Sequence, residues 1–200
     1  MSTVDESKNP PPSGLNYFFL HGIWMLYRDL LPIFSERPIF KAPEAERILR
    51  EQYSIAAPTP VIQEIYYGLA GYDRFQELYG DLNIDQIEWK LIELPTKNFL
   101  TIGDNATYPD FLHEVVEDFT TRKGDVFMDD EIKAHWCNFG TWCEPPFFID
   151  RALLKSNTTG LHLMEGHTRV GTLLGAVKYN FVKLANTHKI YYAQAKECIK

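Results

Sequence analysis

The sequence has few cysteines, a shortage of positive charge, and no clean apolar run of membrane-spanning length. Each shortage excludes something. Its three cysteines are Cys137, Cys143 and Cys198. So sparse and odd a set excludes a disulfide-dense scaffold. Cys137 and Cys143 flank Asn138-Phe139-Gly140-Thr141-Trp142, with His135 nearby. A tetrahedral zinc site would need a further ligand from elsewhere, so no metal site is expected. The strongest apolar stretch, residues 16–34, is interrupted by His21, Arg28, Asp29 and Pro32. Such polarity excludes a membrane span. The opening Met1-Ser2-Thr3-Val4-Asp5-Glu6 is acidic where a secretory leader is basic. A cytoplasmic protein with no membrane partner is the expectation.

Lysine and arginine total 20 against 27 aspartates and glutamates, for a net charge of -7. That field repels a phosphate backbone at long range, so nucleic acid is not an expected partner. It does suit a module that caps a basic protein.

What the chain does have is apolar bulk. Hydrophobic residues make up 45% and aromatics 14%. That is enough to offset the entropy of folding. Its 200 residues fit one domain with a sizeable extension. Residues 1–14 are polar and carry Pro10-Pro11-Pro12, which reads as a flexible tail. Residues 15–85 form a helical N-terminal extension. Its first helix follows Leu15, Phe18, Phe19, Ile23 and Leu26, and is expected to end before Pro32. Pro43 opens a second helix that runs to Tyr53. Thr59 is expected to cap a third over residues 61–69, with Pro60 in its first turn. A fourth covers residues 72–79. Tyr66, Tyr67, Tyr72 and Tyr79 are candidates for a protein-binding surface on this extension.

From residue 86 to 200 the pattern is α+β. Strands are expected at residues 86–94, 147–149, 161–164 and 189–192, and helices at 108–122, 128–139 and 168–177. Residues 151–155 make one helical turn. His162 alternates against Leu161 and Leu163 and so faces away from them. The acids Asp125, Asp129, Asp130 and Glu131 read as a solvated helix start.

One segment carries chemistry. A short apolar strand, Leu161-His162-Leu163-Met164, ends at Glu165. Gly166 permits a tight turn. A helix then starts at His167 or Thr168, and its first N–H groups have no helical acceptor. Those groups and the helix dipole favour an anion, and Arg169 completes a clamp for phosphate or carboxylate.

This strand–acid–Gly–x–x–Arg–helix pattern resembles the ParB/sulfiredoxin-like superfamily. Pro146-Phe147-Phe148-Ile149 is similar to that family's proline-led strand, and Ile190-Tyr191-Tyr192 to its closing strand. The resemblance spans roughly residues 86–195. It implies a small mixed β-sheet with surrounding helices. It also implies a site for a nucleoside triphosphate with Mg²⁺, in which Gly166, His167, Thr168 and Arg169 contact the phosphates. Glu165 or His167 would serve as acid or base, with Glu144 a candidate for the Mg²⁺. The sulfinic-acid reductase branch is not expected, because its turn carries a cysteine where this chain has His167 and Thr168. Nor is a partition protein, whose helix-turn-helix has no counterpart before Lys200. The resulting expectation is a nucleotide- or anion-binding protein of the NTPase or phosphotransferase kind. The alternative is a non-catalytic acidic protein-binding module, such as an immunity protein or antitoxin. A nuclease ranks last, given the acidic field.

Overall fold

Alternation of apolar side chains builds four strands, and both of their faces become buried. The computed structural model describes residues 24–35, 41–122, 129–155 and 157–197. The tail, the first turns of the helix expected from Leu15, Asp125, Met128 and Cys198 lie outside the described residues. The strands are β1 (Ile87–Pro95), β2 (Phe147–Asp150), β3 (Leu161–Glu165) and β4 (Thr187–Ala195), in the order β1-β4-β2-β3. β1 and β4 run antiparallel, from Ile87 opposite Ala195 to Pro95 opposite Thr187. β4 and β2 are parallel, and β2 and β3 antiparallel. The fold is therefore α+β with a small mixed sheet, as expected. β1 lies one residue later than expected and includes Pro95, while β4 reaches further than the apolar pattern indicated, because its pairing continues through polar residues.

On one face, Trp89, Phe147, Ile149, Met164 and Ala193 pack against the N-terminal helices. These are α1 (Leu30–Ser35), α2 (Ala42–Tyr53), a π-helical segment (Val61–Gly68) and α3 (Asp73–Tyr79). On the other face, Phe148, Leu163 and Ile190 pack against Leu112, Trp136, Val170 and Leu173. Those come from α4 (Pro109–Arg122), α5 (Asp130–Phe139) and α7 (His167–Tyr179). A short α6 (Arg151–Leu154) links β2 to β3. Each fully buried Phe is worth about 2–3 kcal/mol, so residues 147 and 148 together fasten both layers to one strand.

The N-terminal helical layer is pinned to β3 by polar contacts as well. Thr107 Oγ1 lies within hydrogen-bond reach of the carbonyls of Leu163 and Met164 and must spend its single proton on them. The Tyr79 hydroxyl, 2.6 Å away, therefore donates to Thr107. It is then free to accept from His162 Nε2–H at 2.9 Å. His162 thus faces away from Leu161 and Leu163, as its alternation requires.

Three expectations for this layer are corrected. Pro32 does not end a helix but sits in the first turn of α1, where no N–H is needed. Thr59 caps nothing with its side chain. Its hydroxyl donates to Glu46 Oε1 at 2.6 Å, and the following helix takes the wider π geometry. Tyr66 and Tyr79 are not available as a surface, because both are core residues. Tyr66 accepts a hydrogen bond from Trp89 Nε1 at 2.9 Å. Tyr72 is exposed. No helix among the described residues is long and apolar enough to cross a membrane.

Candidate functional site

The site begins with an irregularity in pairing. Phe147 lies opposite Glu165 while Phe148 lies opposite Leu163, so Met164 is an extra residue in β3. A bulge of this kind turns two successive side chains toward one face. It swings Glu165 off the face of Leu163, to the end of the strand where the two helical layers meet. Gly166 follows with φ +100°, in the left-handed region. A Cβ at this position would lie 2.5 Å from Pro146 Cβ. Only glycine fits both the turn and this approach.

α7 then starts at His167, with Gly166 as its N-cap. Its first N–H groups lack intrahelical acceptors, and its first turns border a cavity of about 670 Å³. Gly166, Thr168, Arg169 and Thr172 line the α7 side. Ile132, His135 and Trp136 of α5 form the opposite wall, and Trp142 and Cys143 the loop before β2. Four carboxylates, Asp129, Glu131, Glu144 and Glu165, also line it. Thr172 is 2% exposed, and its Oγ1 has no hydrogen-bond partner among the described residues. A buried hydroxyl left unpaired costs about 1–3 kcal/mol.

Arg169 spans the junction. Its Nη1 donates to the carbonyls of Glu144 and Pro145, each at 3.2 Å. Its Nη2 lies 3.6 Å from Glu64 Oε2 in the π-helical segment. Burial pushes the Glu165 carboxyl up. Contact with the His167 ring, the Gly166 N–H and the Arg169 charge outweigh this and hold it below the usual range. It stays ionised near neutrality.

The structure brings Glu165, Gly166, Thr168 and Arg169 into one cavity, together with Glu144. The expectation that the His167 ring contacts phosphate or acts as acid or base is corrected. That ring is 3% exposed, and its Nε2 accepts the Tyr108 N–H at 3.1 Å. The ring proton therefore sits on Nδ1, 3.9 Å from Glu165 Oε2. With Tyr108 and Phe111 against the ring, it orients Glu165 from behind. Only its backbone N–H remains at the helix start. Asp129 caps α5 by accepting the Ile132 N–H, as a helix start requires. Among the described residues, no group of three or more His, Cys, Asp or Glu is arranged to hold a metal.

Sequence reasoning missed Thr172, Glu64 and the aromatic wall. Thr172 had a signal, because it lies one helical turn beyond Thr168 and shares its face. Glu64, Trp136 and Trp142 had none, since only the tertiary fold brings them near Arg169.

The fold and site together define a two-sided α+β protein with a ligand-sized cavity at a helix N-terminus. No family model, curated protein or solved structure matches the chain.

Proposed function

We propose that this chain binds a small phosphate-bearing ligand at the N-terminus of α7, a nucleoside triphosphate with Mg²⁺ being the foremost candidate. The observation that carries this is that Gly166, Thr168, Arg169 and Thr172 of the α7 N-terminal turns line one cavity, with the Thr172 hydroxyl buried and without a hydrogen-bond partner among the described residues. The helix dipole and free N–H groups favour an anion. Trp136 and Trp142 back the cavity wall, at 2% and 4% exposed, and make that side of it apolar. The four carboxylates oppose a bare triphosphate, so the Mg²⁺ would have to arrive with the nucleotide and be shared with Glu144 or Glu165. NTP hydrolysis or phosphotransfer is the activity this implies, with Glu165 as the base and Arg169 stabilising phosphoryl charge. The resemblance to ParB/sulfiredoxin-like proteins supports the same reading, in a cytoplasmic setting.

Calorimetric titration with ATP, CTP, GTP and ADP, each with Mg²⁺, tests it. Wild type should bind one of them at micromolar concentration. Arg169→Ala should weaken that binding by about tenfold or more, the loss of one charge-assisted contact. Thr172→Val removes only a hydroxyl and should cost about threefold to tenfold in binding while raising the melting temperature of the ligand-free protein, since the unpaired hydroxyl is a cost to the fold. Absence of heat with all four nucleotides, from folded protein, would sink the nucleotide reading.

A second reading is a non-catalytic acidic module of the immunity-protein or antitoxin kind. It is favoured by the net charge of -7 and by Trp24 and Tyr72, both exposed on the N-terminal layer. A basic protein captured through that layer, and lost with Tyr72→Ala, would favour it over the first.

A further inference from the structure

Arg169 is shared between two helical layers, and its neighbour from the other layer is an acid. We infer that Glu64 is the charge-selecting residue of this site. It occupies the Nη2 edge of Arg169, and an oxyanion must displace it, or a proton neutralise it, before the guanidinium turns fully to the ligand. This inference rests on the ligand reading given above.

The geometry supports it in three ways. Glu64 Oε2 is 3.6 Å from Nη2, while both Nη1 contacts go to backbone carbonyls. Carbonyls 144 and 145 therefore fix the guanidinium through Nη1, and Glu64, which does not itself line the cavity, holds the Nη2 edge. Second, the pair is only half-buried, with side-chain exposures of 24% for Arg169 and 39% for Glu64. Ion pairs of such exposure are weak and exchangeable. Third, Glu64 stands in the π-helical segment, Val61–Gly68. Such widened turns occur often at functional positions, where they re-aim a side chain.

The surroundings make the pair sensitive to protons. The charged groups facing Glu64 are Arg169 of α7, Glu144 of the loop before β2, and Glu165 at the end of β3. Burial raises the Glu64 carboxyl, Arg169 opposes that, and the charges of Glu144 and Glu165 raise it again. Glu64 and Glu165 thus both feel this guanidinium. Glu165 is held below the usual range and Glu64 is raised above it, so Glu64 yields before Glu165 as pH falls.

A selectivity follows. The ligand must out-compete a carboxylate for Arg169. A doubly charged oxyanion such as phosphate or sulfate competes better than a singly charged carboxylate.

The test uses inorganic sulfate, whose charge stays constant from pH 7.5 to 5, with wild type, Glu64→Gln and Glu64→Asp. At pH 7.5, Glu64→Gln should bind sulfate about threefold to fivefold more tightly, the scale of a weak ion pair removed from competition. Glu64→Asp, shorter by one methylene, should fall between the two. As pH falls, wild type should converge on Glu64→Gln. Any rise common to both belongs to groups other than Glu64. Thermal melts establish that each variant is folded, and Glu64→Asp decides the matter if Glu64→Gln is not. Binding by wild type with an unchanged affinity in the variants at every pH overturns the role of Glu64 and leaves the ligand site standing. If no folded variant binds sulfate and wild type also fails to bind Mg²⁺–nucleotide, the ligand reading itself fails and takes this inference with it.

Discussion

Gly166→Ala should lower the stability of the fold by about 3 kcal/mol and abolish ligand binding at the same time. The first part of the cost is conformational. With φ at +100°, an L-residue is strained by roughly 1–2 kcal/mol. The second part is steric. The new methyl would meet Pro146 Cβ at 2.5 Å and Pro146 Cα at 3.1 Å. Proline cannot swing a ring aside as a flexible side chain would, so overpacking adds about 1–3 kcal/mol. Relief requires the turn to move away from the loop before β2. That loop supplies the carbonyls that fix Arg169. Stability and binding are therefore damaged by one displacement. For a chain of this size, 3 kcal/mol corresponds to a fall in melting temperature of roughly 6–12 °C. Calorimetric melting and nucleotide titration of the same sample check both halves. An unchanged melting temperature would show that the turn does not need glycine.

Acidification should destabilise the protein between about pH 6.5 and pH 4, chiefly through His162. Burial lowers the His162 pKa to about 4, with His167, Arg151 and Arg74 adding to the effect. The unfolded chain takes up this proton near pH 6.5, whereas the folded chain does not until about pH 4. The unfolded state therefore binds more protons throughout that window, and acid favours it. Stability is fully present above pH 6.5 and is lost as pH falls, by about 3 kcal/mol in all. His188, also lowered by burial and held between the Thr96 and Thr141 hydroxyls, adds in the same direction. Glu165 is held down in the fold, so its contribution disappears only at still lower pH. Urea unfolding at a series of pH values measures the slope. His162→Gln should reduce it by close to one proton across the window. An identical slope in the variant would mean that His162 is protonated in the fold and that its bond to Tyr79 is not as assigned.

The α+β class and the strand that ends at Glu165 were legible because each depends on local pattern. Alternation marks β3, and a glycine followed by a polar turn marks the start of α7. The bulge at Met164 was not legible. It depends on how β3 pairs with β2, and no residue type in β3 announces it. The role of His167 was misread for a related reason. A histidine at a helix start looks available in sequence, but the backbone N–H of Tyr108, 59 positions away, claims its Nε2. Tyr66 and Tyr79 show the same limit from the other side. A tyrosine-rich helix reads equally as a docking surface or a core, and burial by Trp89 and His162 decides it. Glu64 lies beyond any local signal, since the site is completed from a layer on the opposite face of the sheet.

The placement of the tryptophans gives the molecule its own optical reporter. Of the four, Trp136 and Trp142 stand together in the cavity wall, their ring centroids 6.2 Å apart. Trp89 is on the other side of the sheet, against Tyr66, and Trp24 is exposed far along the chain. A ligand entering the cavity should alter the emission of the first pair and leave the second untouched. Nucleotide addition should therefore quench or shift part of the intrinsic fluorescence, and Trp142→Phe should diminish that response. Emission unchanged at saturating ligand would place the ligand outside this wall.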